Sequence, residues 1–352
     1  MQEGEKQRPL TYFSLQSGKR RAISQTAHSY GDCRRVNEFE KLNRVGAGTY
    51  GVVYRARDTT TGEIVALKKM RREVIYKGIS ESILREVSLL RHLQHPNIVK
   101  LIDVAVARDV ESVFLVMEFA EQDLTTILEH YKEPFTESQM KCLLKQLLQA
   151  LVYLHYNSVI HRDLKLSNLL LTSSGILRVA DFGLARSFCD EKTPMTPCVV
   201  TLWYRAPELL FGSRFQSAAI DLWAVGCILG ELLLQQPLLP GKTEIEQVHR
   251  IVNLLGTPNL KLWPELGTLP NLQSFSLPEQ PFNNISTRFE RASPATLQLL
   301  NDLFIYNPVF RITAKNALKH KYFEEFPTAC DPIMMPSYKQ HRNERKREAK
   351  LR

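Results

Sequence analysis

The sequence predicts an α+β chain of two lobes, a small strand-rich one followed by a larger helical one. Three observations point there. From Phe39 the pattern alternates and is rich in β-branched residues: "FEKLNRVGAGTYGVVYRARD" and "EIVALKKM" read as strands around a glycine turn, and "VFLVMEF" (113–119) as another. After about residue 121 the apolar spacing becomes helical, most clearly in "ESQMKCLLKQLLQALVYLHY" (137–156). At 352 residues and 44% apolar composition, the chain exceeds the ~250–300 residues at which single cores stop growing. The expected order is a flexible basic tail over 1–38, a strand-rich lobe with one key helix over 39–120, a helical lobe over 121–326, and a basic tail over 327–352. A Pro-rich insert with short helical patterns occupies about 235–290 of the helical lobe. No repeat of fixed period is present, which excludes solenoids and propellers.

Each element has a local reason. The key helix is "KGISESILREVSLL" (77–90), where Ile79, Ile83, Val87 and Leu90 recur at helical spacing and give one face to bury. Its adjacent Arg85 and Glu86 point about 100° apart around the helix. The most apolar stretch, "LWAVGCILGELLL" (222–234), is broken by Glu231 and preceded by Asp221, as suits a buried core helix and not a membrane span. "MQEGEKQRPL" lacks the apolar run of a signal peptide. Six cysteines lie scattered at 33, 142, 189, 198, 227 and 330 without metal-ligand spacing, which predicts reduced thiols in an intracellular protein, nuclear or cytoplasmic.

The net charge of +9 belongs to the ends. Residues 1–35 carry seven Lys/Arg against three Asp/Glu, and residues 339–352 seven against two, leaving 32 of each sign between them. A basic groove on a folded nucleic-acid-binding domain is therefore not expected. The clusters "KRR" (19–21) and "RNERKR" (342–347) suit import signals or solvated ends.

The chemistry sits in four short stretches. "VGAGTYGVV" (45–53) holds Gly46, Gly48 and Gly51, and glycines let a backbone press against phosphates. It joins strand to strand, and no Gly-Lys-Ser/Thr follows, so dinucleotide-binding and P-loop readings fail. "VALK" carries Lys68 in a strand; a buried lysine needs an anionic partner, and Glu86 is the natural candidate. In "HRDLKLSN" (161–168) and "ADFGLAR" (180–186), Asn168 and Asp181 offer oxygen ligands suited to Mg²⁺ and phosphate. Asp163 is then left to accept a proton from an attacking hydroxyl.

Taken in order, with "APE" at 206–208, these stretches resemble the eukaryotic protein kinases over about residues 39–326. The resemblance implies a two-lobed kinase fold that uses ATP and Mg²⁺. It makes Asp163 the catalytic base, Lys68 the phosphate clamp held by Glu86, and Asn168 and Asp181 the metal ligands. Lys165 resembles the serine/threonine class and would steady the transferred phosphoryl group. The Gly-rich loop, Val45 to Gly51 through Ala47, Thr49 and Tyr50, would cover the nucleotide. Val45, Val53, Ala66 and Leu170 would sandwich adenine, with Met117 behind it and the backbone of Glu118 and Ala120 bonding its edge.

"VVTLWYRAPELL" (199–210) is similar to the cyclin-dependent kinases specifically. That resemblance implies a cyclin partner, cyclin M by analogy within the family, and protein substrates with Ser/Thr-Pro sites. Val200 and Arg205 would shape the pocket for the proline, and Thr201 would bridge Asp163 and Lys165. Thr196 would be the activating phosphorylation site, cradled by Arg85, Arg162 and Arg186, and Thr49 and Tyr50 resemble an inhibitory pair. Thr193, also before a proline, lies three residues too early for the match. The Thr-x-Tyr signature of MAP kinases is absent. Three positions depart from the family: Ala47 replaces an acidic residue, Leu166 a proline, and Ser80-Glu81-Ser82 lacks the Pro-Ile that opens the helix motif. A scaffold that binds ATP and a partner without important turnover is the competing expectation.

Overall fold

The computed structural model describes residues 11–14, 19–22, 33–48, 51–70, 81–107, 112–131, 135–187 and 201–338. Contacts divide the chain into two units, Met1–Ser88 with Leu101–Glu118 and Leu89–Lys100 with Phe119–Arg352.

In the first unit, β1 (Thr11–Ser14) and β2 (Lys19–Ala22) pair antiparallel. A six-stranded sheet is built from β3 (Arg34–Arg35), β4 (Phe39–Gly48), β5 (Gly51–Asp58), β6 (Ile64–Met70), β7 (Leu101–Val106) and β8 (Val113–Glu118), in the order β3-β7-β8-β6-β5-β4. Because side chains alternate across a strand, one face collects a buried cluster of Phe39, Ala56, Val65, Leu67, Ala105, Phe114 and Val116. The register places Val53 beside Lys68 and Ala66 beside Met117, so these four share the opposite face. The helix α1 (Glu81–His92) buries Ile83, Val87 and Leu90, as the spacing predicts for these three, while Ile79 lies outside the described residues. Arg34 ties the sheet edge by a fork to both Asp58 oxygens at 2.6 and 2.8 Å.

The second unit opens with β9 (Gln122–Asp123) and α2 (Leu124–His130), which is capped by the Asp123 carboxylate accepting from the Thr126 amide at 2.8 Å. The long α3 (Glu137–Tyr156) starts at a Thr136/Gln139 capping box. Short strands β10 (Val159–Ile160), β11 (Leu169–Leu171), β12 (Leu177–Val179) and β13 (Arg186–Ser187) form the pair β10-β13 and the sheet β12-β11-β9. Then come α4 (Pro207–Leu210), α5 (Ala219–Leu234), α6 (Glu244–Leu255), α7 (Ile285–Arg288), α8 (Pro294–Leu303) and α9 (Ala314–Ala317). Apart from Asp221 and Glu231, helix α5 is apolar on every side, and it is buried from Ile220 to Leu232, with the Trp223 indole edge-on to Phe304 at 5.0 Å. Among the described residues no helix is long and apolar enough to cross a membrane.

Two regions go beyond their sequence patterns. The Pro-rich insert contains the three-turn α6 together with 3-10 turns at Pro264–Thr268 and Leu272–Ser274, and Phe211 anchors it by ring contacts to Trp263 and Phe275. The packed chain also continues past residue 326. Ser138 Oγ donates to the Thr328 carbonyl at 2.7 Å, Met335 is buried, and the Tyr338 ring meets Tyr131 at 4.7 Å. This strap has neither helical nor strand periodicity, so pattern alone cannot find it.

Gly175 makes the strap's close approach allowable: its φ is +75°, and an added Cβ would lie 1.8 Å from the Pro332 carbonyl oxygen. Gly175→Ala is expected to lower stability by about 2–4 kcal/mol, combining a left-handed alanine with a backbone clash. Urea denaturation checks this; a loss under about 1 kcal/mol would show that the strap yields freely.

Candidate active site

The first unit supplies an ion pair. Lys68 Nζ donates to Glu86 Oε1 at 2.8 Å, and both side chains are buried, at 8% and 1% exposure. The structure thus brings together strand lysine and helix glutamate, and burial makes each necessary to the other: removing one strands a charge out of water. Val53, Ala66 and Met117 lie on the same sheet face as Lys68, Val45 sits at the irregularity between Arg44 and Gly46, and Glu118 ends β8. Gly46 pairs with Val53 and Gly48 with Gly51. Gly51 has a packing reason of its own, because a Cβ there would meet the Lys69 carbonyl oxygen at 2.1 Å. Arg85 is half-buried on α1.

The second unit holds the loop between β10 and β11. Asp221, at the start of α5 and fully buried, accepts from the amides of His161 (3.0 Å) and Arg162 (2.9 Å) and bonds His155 Nε2 (2.9 Å). Burial would raise its pKa, but the His155 hydrogen bond, the nearby His161 and the Arg162 amide outweigh it and hold the carboxyl below its ordinary value. Arg162 has φ +68°, a left-handed conformation that costs a non-glycine residue about 1–3 kcal/mol. The Asp221 bonds on either side of that peptide stabilise it. His161 Nδ1 accepts from the Asp163 amide at 3.2 Å, so its Nε2 carries the proton toward the Ala180 carbonyl at 3.0 Å.

Asp163, itself buried, is surrounded by donors. Its Oδ2 accepts from Lys165 Nζ at 2.8 Å and Asn168 Nδ2 at 3.1 Å, and its Oδ1 from Thr201 Oγ1 at 3.1 Å. Lys165 Nζ also donates to Thr201 Oγ1 at 2.9 Å, closing a ring of three side chains. Asn168 sends its second amide proton to the Asp163 carbonyl at 2.7 Å, which leaves its amide oxygen to serve a cation. The Ala180 amide donates to the Asn168 carbonyl at 2.9 Å, bringing Asp181, the next residue, to the same end of the β11-β12 pair. An amide oxygen and a carboxylate are a donor set that fits Mg²⁺ arriving with phosphate oxygens. Among the described residues no group of three or more His, Cys, Asp or Glu makes a protein-only metal cage. Leu170 lies on β11 and Ala120 just before β9. Arg186 on β13 pairs with Ile160, two residues before Arg162, and Arg205 pairs with Glu244. Thr49, Tyr50, Thr193, Thr196 and Val200 lie outside the described residues.

Three supports escaped the sequence reading. Tyr204 donates to Glu231 Oε2 at 2.5 Å, where burial raises the Glu231 pKa and the tyrosine bond opposes that. Arg311 forks onto both oxygens of Glu208 at 2.7 and 2.9 Å and donates to the carbonyls of Ile305, Ala219 and Tyr306. Asp221 is the third. The sequence of α5 carries a signal: two acids, Asp221 and Glu231, in an otherwise apolar helix need buried partners. Arg311 had no such context.

A depressed folded pKa means that the Asp221 contribution is in place above about pH 4 and fades as pH falls through the folded value. Asp221→Asn turns one acceptor into a donor aimed at an N–H, and is expected to cost about 2–4 kcal/mol at pH 7 and to flatten the acid limb of the stability curve. Unchanged urea midpoints at both pH 7 and pH 4 would refute this.

Residues 39–323 match the protein kinase domain family. The chain is 55% identical to cyclin-dependent kinase 10 of Homo sapiens over 318 residues, 90% of this chain and 88% of that protein. It is 48% identical to cyclin-dependent kinase G-2 of Oryza sativa subsp. japonica over 87% of this chain and 44% of that one. Cyclin-dependent kinase 11B of Homo sapiens is 47% identical over 87% of this chain and 39% of its own length.

Proposed function

The chain belongs to the protein kinases, among the cyclin-dependent serine/threonine kinases, and from that premise we propose that it transfers the γ-phosphoryl group of ATP to Ser/Thr-Pro sites in proteins. A cyclin, of the M type by family analogy, and phosphate on Thr196 switch it on. The observation that carries this reading is the ring around Asp163, a buried carboxylate fixed by Lys165, Asn168 and Thr201 on a loop anchored by Asp221.

In this reading Asp163 orients the substrate hydroxyl and takes its proton as the oxygen attacks the γ-phosphorus, while the bond to the bridging oxygen breaks and ADP leaves. Lys165 offsets negative charge on the transferred group, and Thr201 keeps lysine and carboxylate in register. Lys68, paired with Glu86, binds the α- and β-phosphates. Asn168 and Asp181 would hold Mg²⁺, which when bound would supply neutralising charge to the phosphate oxygens. The apolar face of Val53, Ala66 and Met117 suits a flat base, with Val45, Leu170, Glu118 and Ala120 in the roles the family gives them. Arg205, with Val200, receives the proline that follows the acceptor residue: proline leaves no N–H unsatisfied where another residue would. Phosphate on Thr196 adds roughly −1.5 to −2 charge for Arg85, Arg162 and Arg186 to bind.

Asp163→Asn is expected to lower kcat at least about 100-fold with ATP binding retained. A phenotype rescued fully by that variant in cells would favour the scaffold reading instead. Thr196→Ala should lower the activity of the cyclin-bound enzyme about tenfold or more, given about 1.5–3 kcal/mol for a charged hydrogen bond; full activity of unphosphorylated protein sinks the switch. Peptides with alanine in place of the +1 proline should react about tenfold more slowly, and equal kcat/KM values would refute the preference.

A further inference from the structure

Helix α3 and the C-terminal strap each place a cysteine at the same carbonyl. The Cys330 amide donates to the Ser138 oxygen at 3.2 Å. The α-helical pattern gives that oxygen to the Cys142 amide as well, four residues on. Two amides on one acceptor set their residues side by side, and the two thiols are near enough to hydrogen-bond to each other. The strap and the chain leading into it are held in place independently by Ser138 Oγ to the Thr328 carbonyl at 2.7 Å, by Lys141 Nζ to the Glu325 carbonyl at 3.0 Å, and by Tyr338 against Tyr131. The thiols differ in setting. Cys330 is half-buried and contacts Met335 Sδ at 3.8 Å, whereas Cys142 is buried and accepts from Gln146 Nε2 at 3.5 Å. Burial, and then the neighbouring Cys330 thiol, push the Cys142 thiol up to about 11, which leaves the more accessible Cys330 to react first.

We propose that Cys142 and Cys330 are a redox pair that closes to a disulfide on exposure to hydrogen peroxide and fastens the C-terminal strap to α3. Peroxide oxidises the Cys330 thiol to a sulfenic acid and is reduced to water. The Cys142 sulfur then attacks the Cys330 sulfur, the S–OH bond breaks, and the hydroxyl leaves as a second water with the Cys142 proton. Two thiols and one peroxide thus give one disulfide and two waters. The bridge closes a loop of about 190 residues, a length at which cross-linking restricts the unfolded chain strongly. No part of this depends on the phosphoryl-transfer reading.

The test uses the full chain, treated with hydrogen peroxide, blocked with iodoacetamide while unfolded, and digested without reductant. The expected product is a linked Cys142–Cys330 peptide, lighter by two hydrogens than the separate peptides. The melting temperature should rise and return to its starting value with dithiothreitol. Cys330→Ser should abolish both effects, and Cys227→Ser, at a buried cysteine inside α5, should leave both intact. Recovery of alkylated Cys142 beside over-oxidised Cys330, or of either cysteine bridged elsewhere, would overturn the proposal. The wild-type peptide map alone decides this even if a variant fails to fold.

Discussion

Three N–H groups converge on the carboxylate of Asp221, which has no solvent contact, and two of them come from consecutive backbone amides just after β10. Without that acceptor the amides of His161 and Arg162 would be buried donors lacking partners, and the left-handed turn at Arg162 would have nothing to hold it. The turn in turn aims Asp163 into its ring of lysine, asparagine and threonine. The chemistry of the loop therefore rests on a side chain roughly sixty residues later in the chain, fixed in the most apolar helix of the protein.

The same device recurs with different partners. Tyr204 is tied to Glu231 on α5, and Glu208 to Arg311, so the segment after Thr201 is held at both ends by buried polar bonds. Such bonds add little to stability relative to apolar packing, yet breaking one side is costly because the other stays desolvated. They act as locators: greasy surfaces slide, whereas a forked or doubly accepted hydrogen bond permits one register. In the other unit Lys68 and Glu86 do this between β6 and α1.

What was legible in the sequence was local or periodic. Helix α3 follows from its spacing, and the sheet strands from their alternation. The pairing of Lys68 with Glu86 could be anticipated because a lysine in an apolar strand must find an anion. The placement of Asp163, Lys165 and Asn168 follows from adjacency within eight residues. The reach of Asp221 to the loop, and of Arg311 to Glu208, is set by tertiary packing across 59 and 103 residues, for which no local pattern exists. The strap over 327–338 was missed for a related reason: irregular chain packs through individual contacts, which leave no period to read.

Arg311 spends all five of its N–H groups, on two carboxylate oxygens and three carbonyls, with its guanidinium over the Trp223 ring at 5.1 Å. A lysine has three donors and no plane, so the exchange that is mildest on most protein surfaces would strand acceptors from three separate parts of the fold. In the history of such a chain, position 311 has no neutral neighbour to drift through. A lineage that lost this arginine would have to remake α4, the start of α5 and the turn at 305–306 in one step. Descendants should carry that residue unchanged even where their tails, inserts and partners diverge.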